Sequence, residues 1–155
     1  YIVKNSGKAI YGGNVTRGQA IGTMGNTGLS YGAHLHYSIS STKQIGYGNI
    51  NPANGYLKIG PDYWAQSGSW KYYYVKSAAY LLPLAGTVIL TQDAHQGQAI
   101  DMVSLQGEGA LVLASERGKV YSGTDQYGGK YVWIDHPDGK RTTYLHLKSV
   151  YVKKI

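Results

Sequence analysis

The segment KYVWIDHPDGKRTTYLHLKSVYV, residues 130–152, restricts this chain more than any other. Two runs rich in β-branched and aromatic residues flank Pro137-Asp138-Gly139, and Asp-Gly is a strong hairpin-turn signal. A chain with such a hairpin and no long helical periodicity is expected to be all-β. The other segments agree. GALVLASERGKVYSG (109–123) reads as two strands around Arg117-Gly118, and VTRGQAIGTMGNTGLSYG (15–32) as short strands joined by glycine turns. Residues 41–79 change character: Gly-Tyr-Gly, Asn-Pro, Gly-Pro and WKYYYV mark a tyrosine-rich connector with a strand near Tyr72–Lys76. No internal repeat interrupts the chain, and its 155 residues suit a single domain over 1–155.

Composition narrows the chemistry. There is no cysteine, which excludes disulfides and thiolate metal sites and leaves His, Asp and Glu as the available ligands. The net charge of +7 admits an anionic partner, such as nucleic acid, an anionic membrane or a cell-wall polymer. Its cations are scattered, with only Lys140-Arg141 and Lys153-Lys154 adjacent in pairs, which argues against the clustered stripe of a nucleic-acid binder. No apolar run is long enough to span a membrane. Sixteen tyrosines and no phenylalanine suit strands near water and grooves for polar polymers.

Two of the five histidines stand two residues apart in GAHLHYSIS, residues 32–40. On a strand that spacing puts both imidazoles on one face, roughly 7 Å apart at the backbone. His34, His36 and Ser38 then share a face, with Leu35, Tyr37 and Ile39 opposite. In TYLHLKSV the same alternation pairs Tyr144 with His146 and sets Leu145 and Leu147 against them. In AIDM, Asp101 stands opposite Ile100 and Met102, with His95 just before that strand. Each of these strands offers His or Asp on one side and apolar residues on the other, so the expectation is a polar pocket floored by a sheet. His136, beside the Pro-Asp-Gly turn, reads as structural or exposed. Asp93 reads as a solvated loop residue or a partner held behind a metal ligand.

These motifs resemble the lysostaphin and β-lytic type of zinc endopeptidases, which cut peptide bonds in bacterial cell walls. The resemblance rests on His95…Asp101 in HQGQAID, on YLHL at 144–147 and on GAHLHY at 32–37, with LPLAGTV, RGKVYSG and VTRGQAIG flanking them. It covers roughly residues 1–57 and 80–152. It implies antiparallel sheets of that peptidase fold with long loops, zinc held by His36, His95 and Asp101, and His34 and His146 as catalytic histidines. The Tyr144 hydroxyl would help to stabilise the oxyanion. Three N/O ligands leave a fourth position for water, the pattern of a catalytic rather than a structural zinc site. The resemblance also implies peptidoglycan peptides as substrate, a secreted or envelope location and a monomer, and anionic wall polymers suit the basic charge.

The chain departs from the family pattern in two respects. Five residues separate His95 from Asp101, so a loop is expected to bring His95 back over the strand. The order of motifs also differs. His-x-His comes first here and last in the family, which reads as a circular permutation with residues 41–79 joining the usual ends. That reading puts Tyr1 near Ile155. The alternative is two unlike half-domains that pair between chains. Two other functions compete at this point. One is a non-enzymatic cell-wall-binding or regulatory module of the same fold. The other is a sugar-transport phosphocarrier with a phosphoryl-accepting histidine, which leaves Asp101 without a role.

Overall fold

Short runs that place apolar residues on one face have to pair edge to edge to satisfy their backbone groups. The computed structural model, which describes residues 2–5, 8–10, 13–67 and 70–153, is built from such runs and contains no helix among those residues. The first strands are β1 (Ile2–Asn5), β2 (Lys8–Ile10), β3 (Asn14–Val15), β4 (Ala20–Met24) and β5 (Leu35–Ser40). The connector adds β6 (Leu57–Ser67) and β7 (Trp70–Ser77). Then follow β8 (Val88–His95), β9 (Ala99–Ser104), β10 (Leu111–Leu113), β11 (Gly118–Thr124), β12 (Lys130–Asp135), β13 (Arg141–Val150) and β14 (Val152–Lys153).

An 11-stranded antiparallel sheet runs β3-β11-β12-β13-β5-β9-β8-β7-β6, with β4 attached to β13 and β10 to β4. A second sheet has the order β14-β1-β2. The Asp-Gly hairpin is present as β12 and β13, closed by Asp135 opposite Arg141, with Gly139 at φ +86°. Residues 41–79 do more than connect. Their β6–β7 hairpin extends the main sheet, with Tyr73 opposite Leu90 and Tyr74 opposite Ile89. Tyr1 and Ile155 lie outside the described residues; next to them, Ile2 is paired with Lys153.

One face of the main sheet is the core. Leu35, Tyr37, Ile39, Ile100, Met102, Val132, Ile134, Tyr144 and Leu147 are fully buried there. Each large apolar side chain so buried contributes about 1.5–3 kcal/mol. Two of these are tyrosines, and their polar tips are provided for. Tyr37 donates to Ser115 Oγ at 2.9 Å, and the Tyr144 oxygen accepts from the Ser115 N–H at 3.1 Å. Buried hydroxyls with partners carry little penalty, so a core without phenylalanine is tolerated.

His136 is structural. It is buried, its Nδ1 donates to the Arg117 carbonyl at 2.9 Å, and its Nε2 accepts from Thr142 Oγ1 at 2.8 Å. In the neutral ring both nitrogens are thus satisfied. Burial pushes its pKa below the usual histidine value, outweighing the opposing pull of the Arg117 carbonyl and nearby carboxylates. The unfolded chain therefore takes up this proton first, at about pH 6.5. Its contribution to stability is complete above that pH and falls as the solution is acidified toward the lower folded pKa. The melting temperature of the metal-free protein is expected to drop between pH 7.5 and 5.5, and to drop less in His136→Gln. Equal slopes in the two proteins would refute this assignment.

Candidate metal centre

The opposite face of the same sheet carries the polar cluster. Strand alternation sends Leu35 and Tyr37 into the core and His36 out between them. In the same way Ile100 and Met102 point in while Asp101 points out, directly opposite His36 in the β5–β9 ladder. His95 ends β8 and pairs with Ala99. A tight turn over 96–98 and an irregular register between Gln92 and His95 deliver its ring to Asp101. The expected loop folding back over the strand is thus replaced by a β8–β9 hairpin.

The ligand atoms of His36, His95 and Asp101 lie within 4.8 Å of one another. His36 Nδ1 is 3.1 Å and His95 Nε2 3.3 Å from the same Asp101 oxygen, Oδ1, while His34 Nε2 is 3.6 Å from Oδ2. Burial alone would raise the Asp101 carboxyl, but the His36 hydrogen bond and the three surrounding imidazoles outweigh it and hold its pKa below the usual carboxylate value. His146 stands beside this set, its ring centroid 4.7 Å from that of His34 and 6.1 Å from that of His36. The groove around them has a volume of about 620 Å³. Leu29, Tyr31, Gln92, Asp125, Tyr127 and Leu145 are among its walls, and among the described residues no Lys or Arg lines it.

The outer nitrogen of every imidazole meets a backbone carbonyl. His36 Nε2 donates to Gly46 at 2.7 Å, His95 Nδ1 to Asp93 at 3.0 Å, His34 Nδ1 to Gly32 at 2.7 Å and His146 Nδ1 to Thr27 at 2.8 Å. A carbonyl can only accept, so each of these nitrogens carries a proton and each neutral ring turns a lone pair inward. The inward nitrogens of His36 and His95 face a carboxylate oxygen, which also only accepts, so without a metal the His36–Asp101 hydrogen bond forms only when the His36 ring takes a second proton. A divalent cation among them satisfies all three groups with no proton between them, so the donor set fits a metal. For His95 the partner is the Asp93 main chain, not its carboxylate, which caps the Ala94 N–H at 2.8 Å.

The structure corrects the reading of YLHL. His146 has φ +66°, in the left-handed region. Val132 is opposite Tyr144 and Lys130 opposite Leu147, so β13 holds one residue more than β12 over this span, a β-bulge. The bulge ends the simple alternation. Tyr144 and Leu147 both face the core, while Leu145 and His146 both line the groove. Tyr144 therefore does not share a face with His146. Its hydroxyl lies among Ser115 and Thr142 in the core, so it is not carried forward as an oxyanion group. The tyrosines that do line the groove are Tyr31 and Tyr127. His146 also marks a fork: up to Leu145 β13 pairs with β5, and from Leu147 it pairs with β4.

Gly46 was hidden inside the connector. Its φ of +76° aims its carbonyl at His36, and a Cβ there would sit 3.0 Å from Leu145 Cδ2. Neighbouring Gly48 accepts from the Gln98 N–H at 2.6 Å, so the same loop braces the turn after His95. Gly46→Ala is expected to fold but to bind metal roughly 10-fold more weakly, as loss of a group that orients a ligand does. A chelator competition with unchanged affinity would remove Gly46 from the centre.

An all-β protein with a His–His–Asp cluster of metal-binding type in an open groove, flanked by two further histidines, has a ligand set that suits a divalent metal with one position left open. The chain belongs to Peptidase family M23, whose profile matches residues 1–52 and 85–155. M23 peptidases depend on a metal, and the β6–β7 hairpin falls between the matched blocks. Neither the curated proteins nor the solved structures contain a significant match to the chain.

Proposed function

We propose that this chain is a zinc-dependent endopeptidase that hydrolyses peptide bonds in peptidoglycan, as a secreted or envelope protein. The observation that carries the reading is the convergence of His36 Nδ1 and His95 Nε2 on Asp101, with His34 and His146 alongside. His36, His95 and Asp101 are the residues that would hold the metal. When bound, zinc polarises the scissile carbonyl and makes water acidic enough to attack near neutral pH.

The chain's own residues supply the rest. His34 and His146 are oriented by the Gly32 and Thr27 carbonyls, so each offers Nε2 to the groove. Burial holds the His146 pKa below the usual value, against the pull of the Thr27 carbonyl. The ring is therefore neutral at pH 7 and ready to accept the water proton, which is then handed to the leaving amine. Among the described residues no Lys or Arg lines the groove, so on a chain of net charge +7 the described cations stand outside the site, where anionic wall polymers would meet them.

The motif order is read as a circular permutation of the family pattern. In its support, β5 precedes β8, β9 and β13 in the chain yet lies between β13 and β9 in the sheet, and one chain supplies every ligand. A monomer is then sufficient for activity. The test is metal analysis of the purified protein followed by mass spectrometry of digested cell walls. One zinc per chain and newly formed peptide termini are expected. A zinc-loaded protein that binds walls and cuts nothing would make it a binding module instead.

A further inference from the structure

The groove floor continues beyond the histidines. In the sheet register Asp101, His36 and Leu145 form a row across β9, β5 and β13. Tyr131 of β12 falls opposite the bulge that holds Leu145 and His146. Its neighbour Val132 faces the core, so Tyr131 lies on the same face as the metal cluster. On one side of this row the loop near Gly46 crosses Thr143 and Arg141, and on the other stands the turn that carries Asp125 and Tyr127. Tyr131 lies beside this row, just beyond the residues that line the groove.

From there an aromatic series runs on. Tyr131 and Trp133 are 5.8 Å apart with 27° between their planes, and Trp133 and Tyr121 are 5.1 Å apart at 16°. A Cβ on Gly123 would lie 2.6 Å from the Tyr131 oxygen, so the glycine lets this ring lie down over β11. Arg141 fixes Trp133 from above, 5.5 Å from the ring, and is itself held by Asp135 at 2.7 and 3.0 Å and by the Lys43 carbonyl at 2.8 Å. Cross-strand pairing explains why Tyr121 and Trp133 touch. It does not require three partly buried aromatic rings in line with the row that carries the metal cluster.

We infer that Tyr131, Trp133 and Tyr121 form a binding surface for the glycan strand of peptidoglycan, an extension of the substrate site that rests on the endopeptidase reading. Hexosamine rings carry C–H faces that pack on aromatic rings, and tyrosine hydroxyls exchange hydrogen bonds with sugar hydroxyls. The span also fits. Successive strands are about 4.8 Å apart, so the series begins roughly 10 Å from His36 and ends near 16 Å. An extended stem peptide of about four residues spans ~13 Å, which places the sugar that bears it on these rings while a bond further along lies at the metal cluster.

The test uses zinc-loaded full-length protein and two probes: glycan strands stripped of their peptides, and a sugar-free wall peptide. In calorimetry the parent chain is expected to bind the stripped glycan and Tyr131→Ala to bind it roughly tenfold more weakly, the loss of one aromatic packing surface. Tyr131→Phe, which keeps the ring, should retain most of the affinity. On intact walls Tyr131→Ala should raise KM and leave kcat alone, and on the sugar-free peptide it should match the parent. If Tyr131→Ala does not fold, Tyr121→Ala carries the same expectations. Glycan affinity that is absent in the parent, or equal in parent and variants, overturns the inference even if the peptide is cut. Glycan binding by a parent that cuts no peptide upholds this surface and overturns the endopeptidase reading instead.

Discussion

Asp101→Ala is expected to lose its zinc. The carboxylate is the one anion among the inward-facing imidazoles, and it is approached by His36, His95 and His34 together. Removing a group that only orients a ligand lowers metal affinity by roughly 10–100-fold, so removing a ligand should lower it by more than about 100-fold. The loss should be specific. Ile100 and Met102, the neighbours of Asp101 in β9, are core residues and remain. Asp101→Asn, which keeps the shape and loses the charge, should fold with a near-parental melting temperature in the metal-free state and still fail to hold zinc. The measurement is a zinc titration against a competing chelator, with peptide hydrolysis in parallel. Parental zinc affinity in Asp101→Ala would place the metal elsewhere.

His146→Ala should do the reverse, keeping zinc and losing hydrolysis. His146 is not among the groups that meet Asp101 within ion-pair distance, yet its ring packs against His34 in the same groove. Loss of a general acid-base group lowers turnover by about 10²–10⁴-fold. The position is strained as well, since a non-glycine residue at φ +66° is held there by the bulge and by the Thr27 hydrogen bond. His146→Gly relaxes that strain and removes the imidazole, so it separates the two effects. It should be at least as stable as His146→Ala and equally inactive. Parental turnover in either variant, with zinc bound, would take His146 out of the mechanism.

Much of this was legible in the residues because each strand hides one face. Leu35, Tyr37 and Ile39 alternate with His34, His36 and Ser38 without interruption, and the strand keeps that order. The same holds for Ile100, Asp101 and Met102. YLHL broke the rule because one extra residue in β13 turns a strand inside out beyond it, and nothing in four letters marks a bulge at a histidine. The partners of the histidines escaped for another reason. Gly46, Asp93, Gly32 and Thr27 all act through main-chain carbonyls, which every residue has. Gly46 also reaches His36 across a loop whose path only the folded sheet defines. The strand near Tyr72–Lys76 was legible in the β-favouring tyrosines of WKYYYV, but the partner β6, with Gly60 and Pro61 inside it, carries no such signal.

Anomalous diffraction at the zinc edge from crystals grown with zinc tests the central claim most directly. The account predicts one strong peak per chain, ligated by His36, His95 and Asp101 of that same chain, at about 2.0–2.2 Å from each. His34 and His146 should stand beside the peak without ligating it. A peak at another position, or one whose ligands come from two chains, would contradict it.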